Sequence, residues 1–219
     1  MPHCTKKPMT REPKTKAALI EAAIKIFEQK GFQHARVSDI VSAAGVAQGT
    51  FYIYFRSKEE IFRESCNGFI NQIKEMFIQR TKHLFDGDTA DEIIRNLYQV
   101  VSDIIDIYQK NLAVAGLLFR EGIGNGRLFK EIYEDILSIF LSLIEEQIKK
   151  AMSKGFMSIE DTEIASVLLF GLFERSLFYF MLIHQKTDIS KLKRIIVDFV
   201  LKALSFDYNN QCASMPPIS

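Results

Sequence analysis

The sequence predicts an all-α protein of about nine helices, with a three-helix head at the N-terminus and a larger helical body behind it. Apolar residues recur at spacings of three and four in segment after segment, which is typical of amphipathic helices. No stretch alternates with period two, and no tight Asn-Gly or Asp-Gly turn joins two β-like runs. The length of 219 residues allows two domains, and 47% hydrophobic and 25% charged residues are ordinary for a globular protein. We expect a head at 13–73, a body at 74–206 and a disordered tail at 207–219.

The head begins with two helices whose ends carry clear signals. Thr15 is the predicted N-cap of the first helix, and Gly31 follows its last turn as a C′ residue. Ser38 is the predicted cap of a short second helix, and Gly45 ends it. A third helix then covers about 47–54, too short and too polar to serve as scaffold for the core.

The fourth helix begins at a capping box formed by Ser57 and Glu60. Its apolar pattern continues to about Leu84, which gives a rod roughly 40 Å long at 1.5 Å per residue. A rod of this length can couple the head to the body.

The body contains five further predicted helices with apolar residues on one face. We expect the first to be capped by Thr89, the second to span Leu112 to Arg120, and the third to end at Gly155. The last two are expected to begin at Ser158 and Ser190.

Residues 164–183 have the length and apolarity of a membrane span. However, Glu174 and Arg175 lie at the centre, where a charge costs about 2.5–3.5 kcal/mol on insertion scales. We therefore expect this helix to be buried between protein helices rather than in a membrane.

Motifs for catalysis, metals and cofactors are absent from the sequence. Cys4, Cys66 and Cys212 form no CxxC pair, which argues against a disulfide framework or a zinc site and favours a cytoplasmic protein. None of the four histidines has a Glu three residues before it, so the pattern of di-iron bundles is missing. We expect no enzyme, no metal and no cofactor.

Charge is distributed unevenly along the chain. The whole chain carries a net charge of +1, but residues 1–60 carry ten Lys and Arg against six acids. A basic head on a mildly acidic body is expected if only the head contacts phosphates. The basic residues before the first helix (Lys6, Lys7, Arg11, Lys14) fit an arm along DNA or a solvated tail equally well.

The segment TKAALIEAAIKIFEQKGFQHARVSDIVSAAGVAQGTFYIYFRSKEEIF resembles the DNA-binding head of the TetR family of transcriptional regulators. The similarity rests on the AA…F…KGF, SDI…AAGV and YxYFxSKEE patterns and covers about the first quarter of the chain. Ala47 departs from the Ser or Thr that the family often has at that position. The resemblance implies a helix-turn-helix whose third helix lies in the major groove.

Eight residues of the head are expected to contact DNA. Gln48 can bond base edges, Gly49 allows close approach of the backbone, and Thr50 can reach a phosphate or a thymine methyl. Tyr52 is similar to the family's phosphate-contacting tyrosine. Lys58, at the start of the fourth helix, is expected to hold a phosphate. The remaining three are Arg36, Ser38 and Tyr54.

For the body, the resemblance implies dimerisation and the binding of a small molecule. The last two helices, Ile164–Ile183 and Leu192–Leu204, are expected to form an isologous four-helix interface between two copies. An apolar pocket with few polar groups is the usual ligand site, and we expect its lining to include Phe69, Tyr98, Phe119, Arg120, Tyr133, Phe170 and Glu174.

The function implied is that of a homodimeric repressor, which binds a palindromic operator in double-stranded DNA and is released by an apolar or amphipathic effector. Two alternatives within the fold are an activator and a regulator that needs its effector to bind DNA. A third is a helical small-molecule-binding protein without a role on DNA.

Overall fold

The computed structural model describes residues 11–85, 90–122, 127–184 and 187–204. This part of the chain is helical and contains no strand, which confirms the predicted fold class. The helices are α1 (Arg11–Lys30), α2 (Val37–Ala44), α3 (Gln48–Tyr54), α4 (Lys58–Thr81), α5 (Ala90–Lys110), α6 (Leu112–Gly122), α7 (Arg127–Ser153), α8 (Thr162–Leu177) and α9 (Ile189–Ala203). A π-helical segment, Phe178–Ile183, continues α8.

The chain divides into two compact units between Gly68 and Phe69, within α4. The sequence placed this division at 73/74. Helix α4 therefore contributes its first eleven residues to the head unit and its remainder to the body unit. The predicted tail at 207–219 and the predicted cap Thr89 lie outside the described residues.

Two helices of the head begin earlier than predicted. Helix α1 begins at Arg11, so Thr15 lies inside it rather than at its cap. Arg36 is the N-cap of α2, with extended backbone, and its N–H donates to Asp39 Oδ2 at 3.1 Å. The prediction that Ser38 caps α2 is therefore wrong, because Asp39 supplies the capping oxygen from inside the helix. A hydrogen bond from Lys30, followed by the one from the Arg36 N–H, lowers the pKa of Asp39.

The last two helices of the body begin at aspartates rather than at the predicted serines. Asp161 accepts the Ile164 N–H at 2.9 Å and caps α8, and Asp188 accepts the Lys191 N–H at 3.1 Å and caps α9. Ser158 precedes α8, and Ser190 lies in the first turn of α9. An aspartate is as good an N-cap as a serine and also interacts favourably with the helix dipole.

Aromatic rings form the core of the head unit. Phe27, Phe51 and Phe62 are fully buried. The Phe27 and Phe62 rings meet edge to face with centroids 5.6 Å apart, and the Phe32 ring lies 5.1 Å from Phe62. Such pairs are worth about 0.5–1.5 kcal/mol beyond the area they bury. The rings of Phe27, Phe32 and Phe62 come from α1, the turn before α2 and α4, so their contacts hold these three segments together.

Among the described residues, one helix is long and apolar enough to cross a membrane, and it spans Thr162–Ile183. The expectation that it is buried within the chain is wrong for one face, since only 17% of its apolar window is buried. Leu177 and Met181 point inward and pack with Leu192 and Ile196 of α9. The opposite face is exposed.

Candidate functional site

Helix α3 is held by two phenylalanines and presents its other face to solvent. Phe51 is fully buried and Phe55, directly after the helix, is 3% exposed. Their rings lie 5.7 Å apart. Residues four apart lie on one helix face, so burying this pair fixes the orientation of the remaining side chains. The short helix is therefore anchored by tertiary packing rather than by a cap, because Ala47 offers no capping side chain.

The solvent face of α3 carries three of the eight residues predicted to contact DNA. Gln48 and Gly49 are exposed, and Tyr52 exposes 54% of its surface. Ile53 beside it is 76% exposed, although the sequence had not singled it out. A hydroxyl-bearing aromatic ring left in solvent on a helix of seven residues suits contact with a partner better than core packing.

Gly49 leaves open space above α3. A Cβ built on this residue would meet no atom of the protein within 4 Å. The glycine is therefore not required by internal packing, and its backbone is free to approach an external surface closely.

The remaining predicted contact residues lie at the edges of this face. Arg36 and Ser38 are exposed at the start of α2. Thr50 and Tyr54 are half-buried, and the Tyr54 ring lies 6.5 Å from Phe55. Tyr54 thus combines core packing with partial exposure of its side chain.

Lys58 has a different environment from the one predicted. Its Nζ donates to three backbone carbonyls in the turn between α1 and α2, those of Phe32 (2.9 Å), Gln33 (3.1 Å) and Ala35 (3.2 Å). The ammonium also lies 4.7 Å from the centroid of the Phe32 ring. Since an ammonium has three N–H donors, this conformation leaves none for a phosphate. Lys58 ties the start of α4 to the α1–α2 turn.

The body unit contains an elongated apolar cavity of about 190 Å³. Helices α4, α5 and α7 line it over 13, 16 and 16 residues, from Phe69 to Thr81, Ile93 to Tyr108 and Tyr133 to Ile148. At 1.5 Å per residue these stretches are roughly 18–22 Å long. The cavity therefore has the shape of a channel along the bundle. The polar residues among its described walls are Thr81, Tyr108, Tyr133, Gln147 and Glu174.

Five of the seven predicted effector residues line this cavity: Phe69, Phe119, Tyr133, Phe170 and Glu174. The prediction that Tyr98 lines the pocket is wrong. It is 37% exposed and does not line the cavity, because α5 turns Leu97 and Val101 inward instead. The side chain of Arg120 lies outside the described part of the structure.

One end of the cavity is marked by a hydrogen-bonded pair. The Tyr133 hydroxyl donates to Glu174 Oε1 at 3.0 Å. Burial raises the pKa of Tyr133 to about 12, and the neighbouring Glu174 carboxylate adds to the shift. Burial, followed by the Glu174 charge, also raises the pKa of Tyr108. Both phenols therefore remain protonated at neutral pH, while Glu174 retains further acceptor capacity for a ligand.

Sequence reasoning missed Gln147, which lines the cavity on α7. The signal was present, since Tyr133, Ile136, Phe140, Ile144 and Gln147 follow one another at spacings of three and four. A glutamine within an otherwise apolar helical stripe marks a polar group that faces the interior.

An apolar surface covers the outer faces of α8, the π-helical segment and α9. Its side chains are between 49% and 69% exposed and comprise Ile164, Val167, Leu168, Tyr179, Ile183, Ile195 and Phe199. Several large apolar side chains exposed on successive helices indicate a contact surface in soluble proteins. Among the described residues, no group of His, Cys, Asp and Glu is arranged to hold a metal ion.

Comparison with known proteins places the head in a defined family. Residues 19–65 match the family described as bacterial regulatory proteins, tetR family. The chain is 25% identical to the fatty acid metabolism regulator protein of Bacillus subtilis over 192 residues, which is 85% of this chain and 93% of that protein.

Two solved structures share the fold along most of the chain. The fatty acid degradation regulator FadR from Bacillus halodurans aligns with a TM-score of 0.70 at 23% identity, covering 93% of this chain and all of that one. The FadR structure from Bacillus subtilis in complex with stearoyl-CoA aligns with a TM-score of 0.69 at 21% identity, covering 84% and 96%.

Proposed function

Because the chain belongs to the TetR family of transcriptional regulators, which are not enzymes, we propose that it is a homodimeric, cytoplasmic repressor released from its operator by a long-chain effector. The observation that carries this proposal is the solvent face of α3. Gln48, Gly49 and Tyr52 are exposed on this helix, while the anchors Phe51 and Phe55 are buried.

On the DNA side, α3 lies in the major groove. Gln48 contacts base edges, with adenine as its preferred partner, and Thr50 reaches a phosphate or a thymine methyl. Tyr52 contacts the phosphate backbone beside them, and Tyr54, Arg36 and Ser38 extend the contact at its edges. Lys58 acts indirectly, because its hydrogen bonds to the three carbonyls fix the start of α4 against the turn before α2.

A second copy of the chain covers the apolar surface on α8 and α9. The surface continues from Ile164 to Ile183 and recurs on α9 at Ile195 and Phe199, so two helices from each copy form a four-helix contact. A two-fold dimer presents two recognition helices to the half-sites of a palindrome. This arrangement also explains why the outer face of α8 is as apolar as its inner face.

The effector is a long apolar chain with a polar head, of which a fatty acyl-CoA is the best candidate. The cavity is almost entirely apolar and is lined by helix stretches roughly 20 Å long, which suits an extended acyl chain. The relative from Bacillus subtilis is a regulator of fatty acid metabolism, and a protein of the same fold holds stearoyl-CoA.

Release follows from the position of α4. Phe69 and Ile73 of this helix line the cavity, while Phe62 lies in the core of the head unit. A ligand that displaces the cavity-lining part of α4 therefore moves the helix that also carries Phe62. Two recognition helices that no longer match successive major grooves, about 34–36 Å apart, cannot both occupy their half-sites.

Binding to the DNA upstream of the protein's own gene tests the proposal. Fluorescence anisotropy at low salt is expected to show a saturable complex, and Tyr52→Ala is expected to weaken it about tenfold by removing a phosphate contact. Tyr98→Ala is the matched control, because this tyrosine is also exposed but lies in the body unit. If the wild-type chain raised the anisotropy of no upstream DNA fragment at low salt, this result would contradict the DNA-binding function.

A further inference from the structure

The cavity contains a buried polar atom without a partner. Gln147 Oε1 is inaccessible to solvent, and it is the one buried side-chain nitrogen or oxygen among the described residues that has no hydrogen bond. More than nine in ten buried polar groups in folded proteins are hydrogen-bonded. An orphaned acceptor on the wall of a ligand cavity therefore indicates a donor that arrives with the ligand.

Gln147 lies far from Tyr133, the other polar residue that α7 contributes to the cavity wall. Fourteen residues separate it from Tyr133 along this helix, which corresponds to roughly 21 Å. Between them, the cavity face of α7 carries Ile136, Phe140 and Ile144. The cavity thus has a polar group at each end and an apolar middle.

Thr81 provides a second acceptor at the Gln147 end. It is 3% exposed, lines the cavity, and donates its hydroxyl proton to the Phe77 carbonyl at 2.8 Å. A hydrogen bond of 2.8 Å from Lys150 Nζ to the Lys82 carbonyl holds this level of α7 beside the end of α4. Since the Thr81 proton is used, this residue and Gln147 Oε1 are both acceptors among the residues that line this end of the cavity.

The two ends also differ in their closure. Leu84 and Phe85, next to Thr81, are buried, whereas Tyr133 and Glu174 are only partly buried. A chain that enters at the Tyr133–Glu174 end therefore reaches Gln147 with its terminus.

We propose that Gln147 is a specificity-determining residue that accepts a hydrogen bond from a hydroxyl group at the far end of the effector chain. The proposal rests on the proposed function, in that a long chain occupies the cavity. Sp³ C–C bonds of about 1.5 Å give roughly 1.3 Å per methylene in an extended chain, so the 21 Å span corresponds to about 16 carbons. The preferred ligand class is a long acyl chain hydroxylated at or next to its terminus.

The test compares palmitoyl-CoA with its ω-hydroxylated analogue, using calorimetric titration of the full chain. The wild-type protein is expected to bind the hydroxylated chain about 3- to 10-fold more tightly, the range of one net hydrogen bond. Gln147→Leu is expected to reverse the preference, because a buried hydroxyl then meets only apolar wall. Gln109→Leu, an exposed glutamine on α5, serves as the matched control and is expected to keep the wild-type ratio.

The outcomes separate this proposal from the proposed function. Equal or weaker binding of the hydroxylated chain by the wild type, with both chains bound, overturns the role of Gln147 and leaves the acyl effector intact. Lack of binding of either chain overturns both, while the DNA-binding function is judged separately by anisotropy. The comparison of the two ligands in the wild-type protein does not require the variant to fold. The melting temperature of Gln147→Leu, which is expected to be unchanged or higher, shows whether the variant folds.

Discussion

Replacing Lys58 with methionine distinguishes a positioning role of this residue from a direct phosphate contact. Methionine keeps most of the length and apolar contact of the lysine stem but removes the ammonium. The variant therefore loses the three hydrogen bonds to the Phe32, Gln33 and Ala35 carbonyls and the approach to the Phe32 ring.

The size of the effect follows from the burial of the three acceptors. Phe32 and Ala35 are 4% and 2% exposed, whereas Gln33 is exposed and water can replace the lysine there. Two part-buried bonds at about 1 kcal/mol each and a cation–π contact of about 0.5–1 kcal/mol give a loss of about 2–3 kcal/mol. For a chain of this length, that loss lowers the melting temperature by about 5–10 °C.

Two measurements decide between the roles. Thermal unfolding of the free protein reports the loss of stability, and Lys25→Met, an exposed lysine on α1, serves as the control. Operator affinity at several salt concentrations reports phosphate contacts, because each contact adds about one unit to the salt slope. For Lys58→Met we expect a lower melting temperature, weaker binding and an unchanged slope.

An unchanged melting temperature combined with a salt slope reduced by about one unit would refute the reasoning. It would show that the ammonium leaves the carbonyls and binds a phosphate in the complex.

Three further predictions concern α3, the dimer and the cavity. Gly49→Ala is expected to leave the protein as stable or up to about 1 kcal/mol more stable in thermal unfolding, since nothing lies within 4 Å of the added Cβ, and yet to weaken DNA binding in anisotropy by blocking close approach. Leu168→Glu is expected to yield monomers in analytical ultracentrifugation, because a two-fold interface buries the new charge twice, whereas Lys149→Glu is expected to remain dimeric. In an alkaline titration followed by phenolate absorbance, Tyr133 is expected to ionise near pH 12. The rise in absorbance near this pH is expected to be smaller in Tyr133→Phe. Because the pKa of Tyr133 is raised in the folded state, the contribution of this residue to folding stability is fully present below the ordinary tyrosine pKa of about 10. It is lost as the pH rises through 12.

The head could be predicted well from the sequence because its signals are local. Gly31 and Gly45 adopt the positive φ angles of 74° and 66° that end a helix, and the spacing of Phe51 and Phe55 identifies the buried side of α3. The role of Lys58 could not be predicted, because its acceptors lie 23 to 26 residues away along the chain.

In the body, the periodicity of apolar residues identified the helices. It did not identify which of several possible residues caps each helix, or whether a given side chain faces the cavity or the solvent. Asp161 and Asp188 cap α8 and α9 in preference to the serines nearby. Tyr98 faces outward although its neighbour Leu97 lines the cavity. The spacing along α7 places Gln147 in the same stripe as Phe140 and Ile144, but only the structure shows that its Oε1 is buried without a partner.

The central claim, that a long-chain ligand in the body governs DNA binding by the head, is tested most directly by one titration. Palmitoyl-CoA is added to the complex of the full chain with fluorescent operator DNA at constant salt, while anisotropy is recorded. We predict that the anisotropy falls to the value of free DNA as the cavity fills. Anisotropy that stays constant, while calorimetry shows the ligand bound, would contradict the claim.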